Sequence, residues 1–264
     1  MTTLGFIVSP AKKMNVVEGP PYPTTQPEHL ERTRLLFDAL RSLSYDQAKE
    51  LWQCSDRLAR ANYQRLHESD LGRNLTAAAL AYEGIQYQHL AAQVLDEDSL
   101  SYLERHLRIL SGFYGVLRPT DGVVPYRLEM QARLALPARG EAPATKDLYA
   151  FWGDTLATSL ARDFGAIVNI ASVEYAKAVT PYLAQRGTGL LTCLFGTVRT
   201  SDGKLVQRST EAKAARGTFM RWCAERQVEQ LDELRAFNER GYQLDESRST
   251  KDTLVFVQLG QFDK

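Results

Sequence analysis

The 264-residue chain has few of the residues that form disulfide frameworks or metal centres. Its three cysteines (Cys54, Cys193 and Cys223) lie far apart, and its four histidines include no H-E-x-x-H sequence. Such spacing argues against disulfides, structural zinc and zincin-type metal sites. Walker A and dinucleotide-binding fingerprints are also absent. We therefore expect no metal and no cofactor.

Long hydrophobic runs are missing as well. The first apolar run, Leu4–Val8, is too short for a signal peptide and has no cationic lead. No run approaches the roughly 18 apolar residues that span a bilayer. We expect a cytoplasmic protein with no membrane partner, and the sequence identifies no protein partner.

An excess of charge of one sign is absent from the chain as a whole, because 32 basic residues balance 32 acidic ones. Locally the balance is uneven. Seven basic and three acidic residues lie between Arg199 and Arg226, and seven acidic and four basic residues lie between Glu229 and Asp252. Lys213 and Arg216 are three residues apart and share one side of a predicted helix. Charge alone favours a solvated helix face there, although both side chains could also face a cleft.

The first half of the chain reads mainly as helix. Leu4–Val8 predicts a buried strand that Pro10 ends. Helical spacing continues from Glu28 to His67 and includes a capping box at Ser44 and Gln47. Further helices are predicted over 76–82, 86–95 and 99–111, the last of them ending at Gly112.

The second half changes period. It predicts strands over 167–171, 189–197, 205–208 and 254–259, and a helix over 210–227. Because strands and helices interleave without regular β-α-β alternation, we predict a mixed α/β (α+β) fold with a central mixed sheet rather than a doubly wound one. We expect one domain over 1–264 with a possible helical subregion at 28–111, and a flexible insertion at 135–144.

The most unusual stretch is HLRILSGFYGVLRPTDGVVPYRLEM at 106–130. Its glycines and prolines favour fixed turns, and the guanidinium groups of Arg108, Arg118 and Arg127 suit phosphate or carboxylate. Two readings stay open: a binding surface, or a connecting segment whose arginines pair with nearby acids. Glycine turns at 80–86 and 110–115 each resemble a degenerate helix-hairpin-helix, or a simple bend.

Carboxylates among aromatic residues could act as acids or bases. Asp147, Asp154 and Glu174 lie in such surroundings. Helix capping or pairing with arginine is the favoured role for them, and Asp147 is the expected N-cap of a helix through Leu156.

Several stretches together resemble the YaaA peroxide-stress protein family, in order and nearly from end to end. The matching strings are IVSPAKKM (7–14), SDRLARAN (55–62), the 106–130 stretch, DLYAFWGD (147–154), VNIASVEYAKAV (168–179), AKAARG (212–217) and FNERGYQLDESRS (237–249). The resemblance implies a cytoplasmic protein that helps cells survive hydrogen peroxide by limiting free iron and protecting DNA. It also implies an α/β fold peculiar to the family, with a positively charged cleft, a helix-hairpin-helix, and binding of double-stranded or branched DNA.

The resemblance and the polar residues beside turns give a set of candidate anion- or DNA-binding residues. Ala214 stands where the family's K-K-A-R-G string has its second lysine, which removes one cation. The candidates are Ser9, Lys12, Arg118, Arg127, Glu129, Lys177, Lys213 and Arg216.

Two functions fit these residues. The first is DNA binding with little sequence preference, which phosphate contacts would make sensitive to salt. The alternative is an enzyme acting on a phosphorylated or anionic small molecule in the same basic cleft. Direct iron binding has little support, since no compact set of His, Cys and carboxylate ligands is present.

Overall fold

The computed structural model describes residues 3–138 and 144–258. Twelve strands lie within these residues: β1 (Leu4–Val8), β2 (Lys13–Met14), β3 (Thr76–Ala77), β4 (Tyr82–Glu83), β5 (Leu107–Ser111), β6 (Gly115–Leu117), β7 (Gly122–Val123), β8 (Ala166–Asn169), β9 (Gly189–Val198), β10 (Leu205–Val206), β11 (Tyr242–Leu244) and β12 (Thr253–Gln258). The same residues form eleven α-helices: α1 (Leu30–Arg41), α2 (Tyr45–Trp52), α3 (Asp56–Glu68), α4 (Ala78–Ala81), α5 (Ile85–Leu90), α6 (Glu97–His106), α7 (Leu148–Trp152), α8 (Thr155–Asp163), α9 (Val173–Ala176), α10 (Thr180–Gln185) and α11 (Ser209–Glu225). Short 3-10 turns lie at Ala92–Val94, Leu231–Ala236 and Glu239–Gly241.

A mixed sheet of eight strands forms the centre, as the sequence predicts. Its order is β11-β12-β9-β8-β1-β5-β6, and β10 pairs with β9 as a hairpin. The five inner strands are parallel, whereas β6 and β11 run antiparallel at the two edges. The fold is therefore mixed α/β.

The order of the parallel strands identifies where a cleft can form. Taken in chain order, β5-β1-β8-β9-β12 reads 2-1-3-4-5, which is a strand order of doubly wound sheets. The sequence did not predict this strand order, because the long helical segment between β1 and β5 hides the alternation. In such sheets the order reverses between the first and third strands, here β1 and β8, and a crevice opens at their carboxyl ends.

Apolar side chains from both halves of the chain fill one core. All five residues of β1 are buried, as expected for an inner parallel strand. Phe195 of β9 stacks on Phe256 of β12 with ring centroids 5.3 Å apart, and Phe219 of α11 lies 5.4 Å from Phe195. Because α11 packs on the sheet through Phe219, its polar face is fixed relative to the strand ends.

The predicted helix over 99–111 was wrong in its second half. Helix α6 ends at His106, and residues 107–111 form β5, an inner strand paired with β1. The His106 Nδ1–H donates to the Leu4 carbonyl over 2.7 Å and thereby fixes the change of direction. A short apolar run between two helical signals fits a helix and a buried strand equally well, so periodicity alone could not separate them.

The structure distinguishes the two turns, at 80–86 and 110–115, that resemble a helix-hairpin-helix in the sequence. The turn at 110–115 is the tip of the β5–β6 hairpin, where Ser111 pairs with Gly115, so that reading was wrong. The turn at 80–86 connects two short helices, α4 and α5, through the two-residue strand β4. Because β4 pairs with β2 beside Lys13, this turn belongs to the wall of the cleft described below.

Local capping predictions were confirmed. Ser44 and Gln47 form the capping box of α2, and the Asp147 carboxylate accepts from the Ala150 N–H at 2.8 Å. The helix expected through Leu156 is interrupted at Gly153, which gives α7 and α8. Of the predicted insertion at 135–144, Leu136 pairs with Thr145 on its flank, and residues 139–143 lie outside the described residues.

Candidate functional site

A cleft of about 570 Å³ lies where the strand order reverses. The segments that follow β1 and β8 form one side of it, residues 126–129 form another, and the start of α5 and one face of α11 complete the wall. Five basic and three acidic side chains line it, an excess of two positive charges. These side chains are Lys12, Lys13, Arg127, Lys213, Arg216, Glu83, Glu129 and Glu174.

A serine pair joins the ends of β1 and β8. The Ser9 hydroxyl accepts from the Ser172 N–H at 2.8 Å and donates to the Ser172 hydroxyl at 3.1 Å. The Ser9 carbonyl accepts from the Tyr87 hydroxyl at 2.9 Å, which ties the same loop to α5. Ser9 therefore holds the floor of the cleft together, and its hydroxyl already has two partners.

Glu129 accepts from two cations of the candidate set. Its carboxylate lies 2.7 Å from the Lys12 ammonium and 3.3 Å from the Arg127 guanidinium. The Glu129 and Arg127 side chains are only 17 % and 12 % exposed, whereas Lys12 is 65 % exposed. The Arg127 Nε is buried and has no hydrogen-bond partner among the described residues. One terminal nitrogen of Arg127 binds Glu129, so the other terminal nitrogen is the one that can donate to a ligand in the cleft.

The β5–β6 hairpin positions the segment that carries Arg127 and Glu129. A Cβ on Gly112 would lie 2.8 Å from the Leu128 carbonyl oxygen, so only glycine allows this close approach. Tyr126 directly precedes Arg127, and its hydroxyl is hydrogen-bonded to the Ser111 hydroxyl at 2.6 Å and to the Tyr82 hydroxyl at 2.8 Å. Gly112 thus serves the site by packing against the backbone of residues 128–130.

Burial keeps the tyrosines behind the cleft neutral. It raises the pKa of Tyr126 to about 12 and raises the pKa values of Tyr82 and Tyr87 well above the usual range. All three phenols therefore keep their protons at physiological pH, and they contribute hydrogen bonds and apolar ring surface without adding charge.

Helix α11 brings Lys213 and Arg216 to the cleft on one side, as their spacing predicts. Lys213 is exposed, and Arg216 is partly buried, with its Nε enclosed. Within the described ranges Arg216 has no ion pair or hydrogen bond, its buried Nε included, and burial lowers its pKa. A guanidinium keeps its charge even so, since its ordinary pKa exceeds 12. A buried cation without a carboxylate is costly unless an anion from outside approaches it.

The glycine of the AKAARG string has a packing role. A Cβ on Gly217 would lie 2.0 Å from the Gln86 carbonyl oxygen of α5, well inside any permitted contact. Helices α5 and α11 therefore touch backbone to backbone at this point. This contact fixes the distance across the cleft between the Arg216 side and the Gln86–Tyr87 side.

Glu174 is a second carboxylate in the cleft, and the candidate set omitted it. Burial raises its pKa, and the nearby negative charge of Glu129 raises it further. The Gln131 N–H donates to its carboxylate at 3.2 Å. The string NIASVEYAKAV, which places an acid among aromatic residues, was the available signal, but the role favoured from sequence was capping or pairing with arginine. Ser172, Lys13 and Tyr126 also line the cleft and were missed.

Arg118 and Lys177 do not line the cleft, so the structure separates them from the other six candidates. Arg118 follows the edge strand β6, where its side chain is exposed and its N–H donates to the Asp121 carboxylate at 2.8 Å. The Lys177 ammonium lies over the Tyr149 ring, 4.9 Å from its centroid. Their separation has a simple reason: β6 is two strands away from β1, and Lys177 is exposed at the far end of α9.

Arg108 shows the other reading of the 106–130 arginines. It is buried, and it pairs with Asp163 at 3.0 Å. Arg108 thus pairs with an acid away from the cleft, whereas Arg127 both pairs with Glu129 and lines the cleft. The same stretch contains both kinds of arginine.

Metal and thiol chemistry receive no support from the described residues. No group of three or more His, Cys, Asp or Glu side chains there could hold a metal ion. Cys193 and Cys223 are buried, and burial raises the pKa of each thiol well above its ordinary value. In the same part of the chain, no helix is both long and apolar enough to cross a bilayer.

A second cavity of about 830 Å³ adjoins the first. Lys12, Arg127 and Glu129 line both cavities, so this ion-paired trio forms the wall between them. On its far side the second cavity is lined by polar residues that include Gln47, Glu50 and Arg133.

The fold and cleft define an α/β protein with a basic crevice at the carboxyl edge of a parallel sheet. The sequence profile of the family described as peroxide stress protein YaaA matches residues 4–248, and the chain belongs to that family. Similar proteins include the UPF0246 protein of Lactiplantibacillus plantarum, which is 47% identical over 96% of this chain and 98% of its own length. The UPF0246 proteins of Pediococcus pentosaceus (45% identical, 96% and 97% covered) and Lachnoclostridium phytofermentans (42% identical, 96% and 95% covered) are also similar.

Proposed function

We propose that this protein is a cytoplasmic member of the peroxide-stress response that binds DNA through its phosphates, largely without sequence preference, and so limits damage by peroxide and iron. The observation that carries the proposal is Arg216, a partly buried side chain that lines the cleft, has an enclosed Nε and has no acidic partner among the described residues. Lys213, Lys12 and Arg127 line the same cleft. Guanidinium groups bind phosphate through two parallel hydrogen bonds, and DNA presents a phosphate at every nucleotide of its backbone.

The acids of the cleft pair with some of its cations and leave Lys213 and Arg216 unpaired among the described residues. Glu129 is already paired with Lys12 and Arg127, and Glu83 with Lys13 at 2.7 Å. Within the described cleft, the cations that remain without an acidic partner are therefore Lys213 and Arg216 on α11. We expect phosphate contacts to centre there.

A salt titration of duplex binding tests the proposal. Affinity should fall linearly on a log–log plot, and Arg216→Ala should reduce the slope by about 1 because one phosphate contact is lost. Arg221→Ala is the matched control, since it removes the same charge from the same helix but from a side chain paired with Glu225 at 2.7 Å and outside the cleft lining. Equal affinities and slopes for the two variants would contradict the proposal.

A second candidate function is an enzyme that acts on a phosphorylated or anionic small molecule. The observation in its favour is the pair Glu129 and Glu174 in a cleft of small-molecule size, with the pKa of Glu174 raised by burial toward the range of a general acid. Glu129→Ala separates the two functions. DNA binding should survive or strengthen when this negative charge is removed, whereas catalysis would collapse.

A further inference from the structure

We propose that the cleft receives one unpaired nucleotide of the DNA, while the duplex stays at its mouth, where phosphates reach Lys213 and Arg216. This inference rests on the proposed function and adds which part of the DNA enters. The volume of about 570 Å³ corresponds to a cube with an edge of about 8 Å, whereas the major groove of a duplex alone is about 12 Å wide. A duplex therefore cannot enter, but cavities of roughly 300–1,000 Å³ suit a ligand the size of one nucleotide.

The lining has two chemical halves that match the two ends of a nucleotide. Lys213 and Arg216 offer unpaired positive charge for a phosphate. Elsewhere the lining offers apolar surface from Ile85, Leu128 and the ring of Tyr87. A base and its sugar supply apolar surface of this kind, and a phosphate alone would leave that half of the cleft unused.

The carboxylates give a second, independent reason. Glu129 and Glu174 are acceptors when ionised and repel phosphate, so a cleft for phosphates alone gains nothing from them. Amino and imino groups on the pairing edge of a base are donors, and in a duplex the partner strand occupies them. Acceptors in this cleft therefore select a base that has no partner.

The experiment compares three DNA molecules of the same length: a continuous duplex, a duplex with a one-nucleotide adenine bulge, and the same bulge without its base. We expect the adenine bulge to bind about tenfold more tightly than the duplex, since one base contact of ~1.4 kcal/mol is worth tenfold. The abasic bulge should lose this gain. With 2-aminopurine as the bulged base, fluorescence should change when the base leaves the DNA and enters the cleft.

Two tryptophan variants test the location. Ser209 is exposed, begins α11 and lines the cleft, so Ser209→Trp should fill part of the space and abolish the preference for the bulge. Thr210→Trp places the same ring on the next residue, which is also exposed but outside the lining. It should keep the tenfold preference.

The outcomes separate this inference from the proposed function. If the bulge and the duplex bind equally while affinity stays sensitive to salt and to Arg216→Ala, DNA binding stands and the nucleotide cleft is refuted. If free dAMP binds as tightly as the bulged DNA, the cleft serves free nucleotides, which overturns the assignment to DNA. An unchanged preference in Ser209→Trp would also overturn it.

Discussion

The contact between α5 and α11 allows a sharp prediction about Gly217. In Gly217→Ala the new Cβ would lie 2.0 Å from the Gln86 carbonyl oxygen, against about 3.4 Å for an ordinary contact. The two helices must therefore separate by about 1.4 Å at this point. The obstacle is main chain, so no rotamer change relieves it.

Two opposing effects set the magnitude. Alanine favours helix over glycine by ~1 kcal/mol, which would stabilise α11. Overpacking in a well-packed contact costs ~1–3 kcal/mol, and a clash with backbone belongs at the upper end of that range. We therefore expect Gly217→Ala to lower the free energy of unfolding by ~2 kcal/mol. Arg216 should also move away from the cleft wall and weaken DNA binding.

Urea unfolding measured on the folded chain checks this result. Gly72→Ala is the matched control, because a Cβ there would meet the Asp70 carboxylate at an ordinary 3.5 Å, and its stability should stay within ~0.5 kcal/mol of the original. If Gly217→Ala instead raises stability by the helix-propensity gain, the close contact of the two backbones is refuted, and so is the fixed width of the cleft.

Three further predictions concern charge and packing around the site. Glu28 is held by Arg162, which lowers its pKa to about 2, so Glu28→Gln should cost ~1 kcal/mol at pH 7 after allowance for solvent screening; unfolding curves should show that cost present above pH 4.5 and lost as pH falls toward 2. Because burial raises the pKa of Glu174, affinity for continuous duplex DNA should rise as pH falls through that pKa and this carboxylate stops repelling phosphate; Glu174→Gln should remove the pH step from a duplex-binding titration. Gly112→Ala should push the 127–129 segment outward, lowering the urea midpoint and DNA affinity together; a change in neither would contradict the proposed support.

Much of the fold follows from local sequence. Strand β1 was predicted at its observed bounds, and β9 within one residue, because proline or a polar turn ends each apolar run. The capping box at Ser44 was correct since it depends on groups three residues apart. Such signals need no knowledge of the rest of the chain.

The strand order could not be predicted in this way. Strands β1 and β5 pair although about 100 residues separate them, and the helical segment between them obscured both β5 and the parallel arrangement. The spacing of apolar residues indicates that a face is buried, but it does not indicate which strand or helix packs against that face. The position of the cleft depends on that order, so it came only with the structure.

The candidate site was predicted in part for the same reason. Lys12 and Lys213 are 201 positions apart, yet both line the cleft, and it was the family resemblance that put them in one set. Arg118 and Lys177 entered the set through the same strings but lie elsewhere, because a string records which residues occur and not the side of the sheet they reach. Glu174 was undervalued because the burial that raises its pKa is a tertiary property.

The distribution of charge inside the cleft decides how a ligand must lie. Lys12 and Arg127 share Glu129, and Glu174 lies near Lys12, so these two cations and two carboxylates leave that wall close to neutral. Arg216 and Lys213 have no acidic partner in the described chain. Negative charge on a ligand is therefore drawn toward α11, and its hydrogen-bond donors toward Glu129 and Glu174. A ligand that carries only phosphate would pair with Lys213 and Arg216 but would be repelled by Glu129 and Glu174. The cleft therefore favours molecules that carry an anionic group and hydrogen-bond donors on different sides.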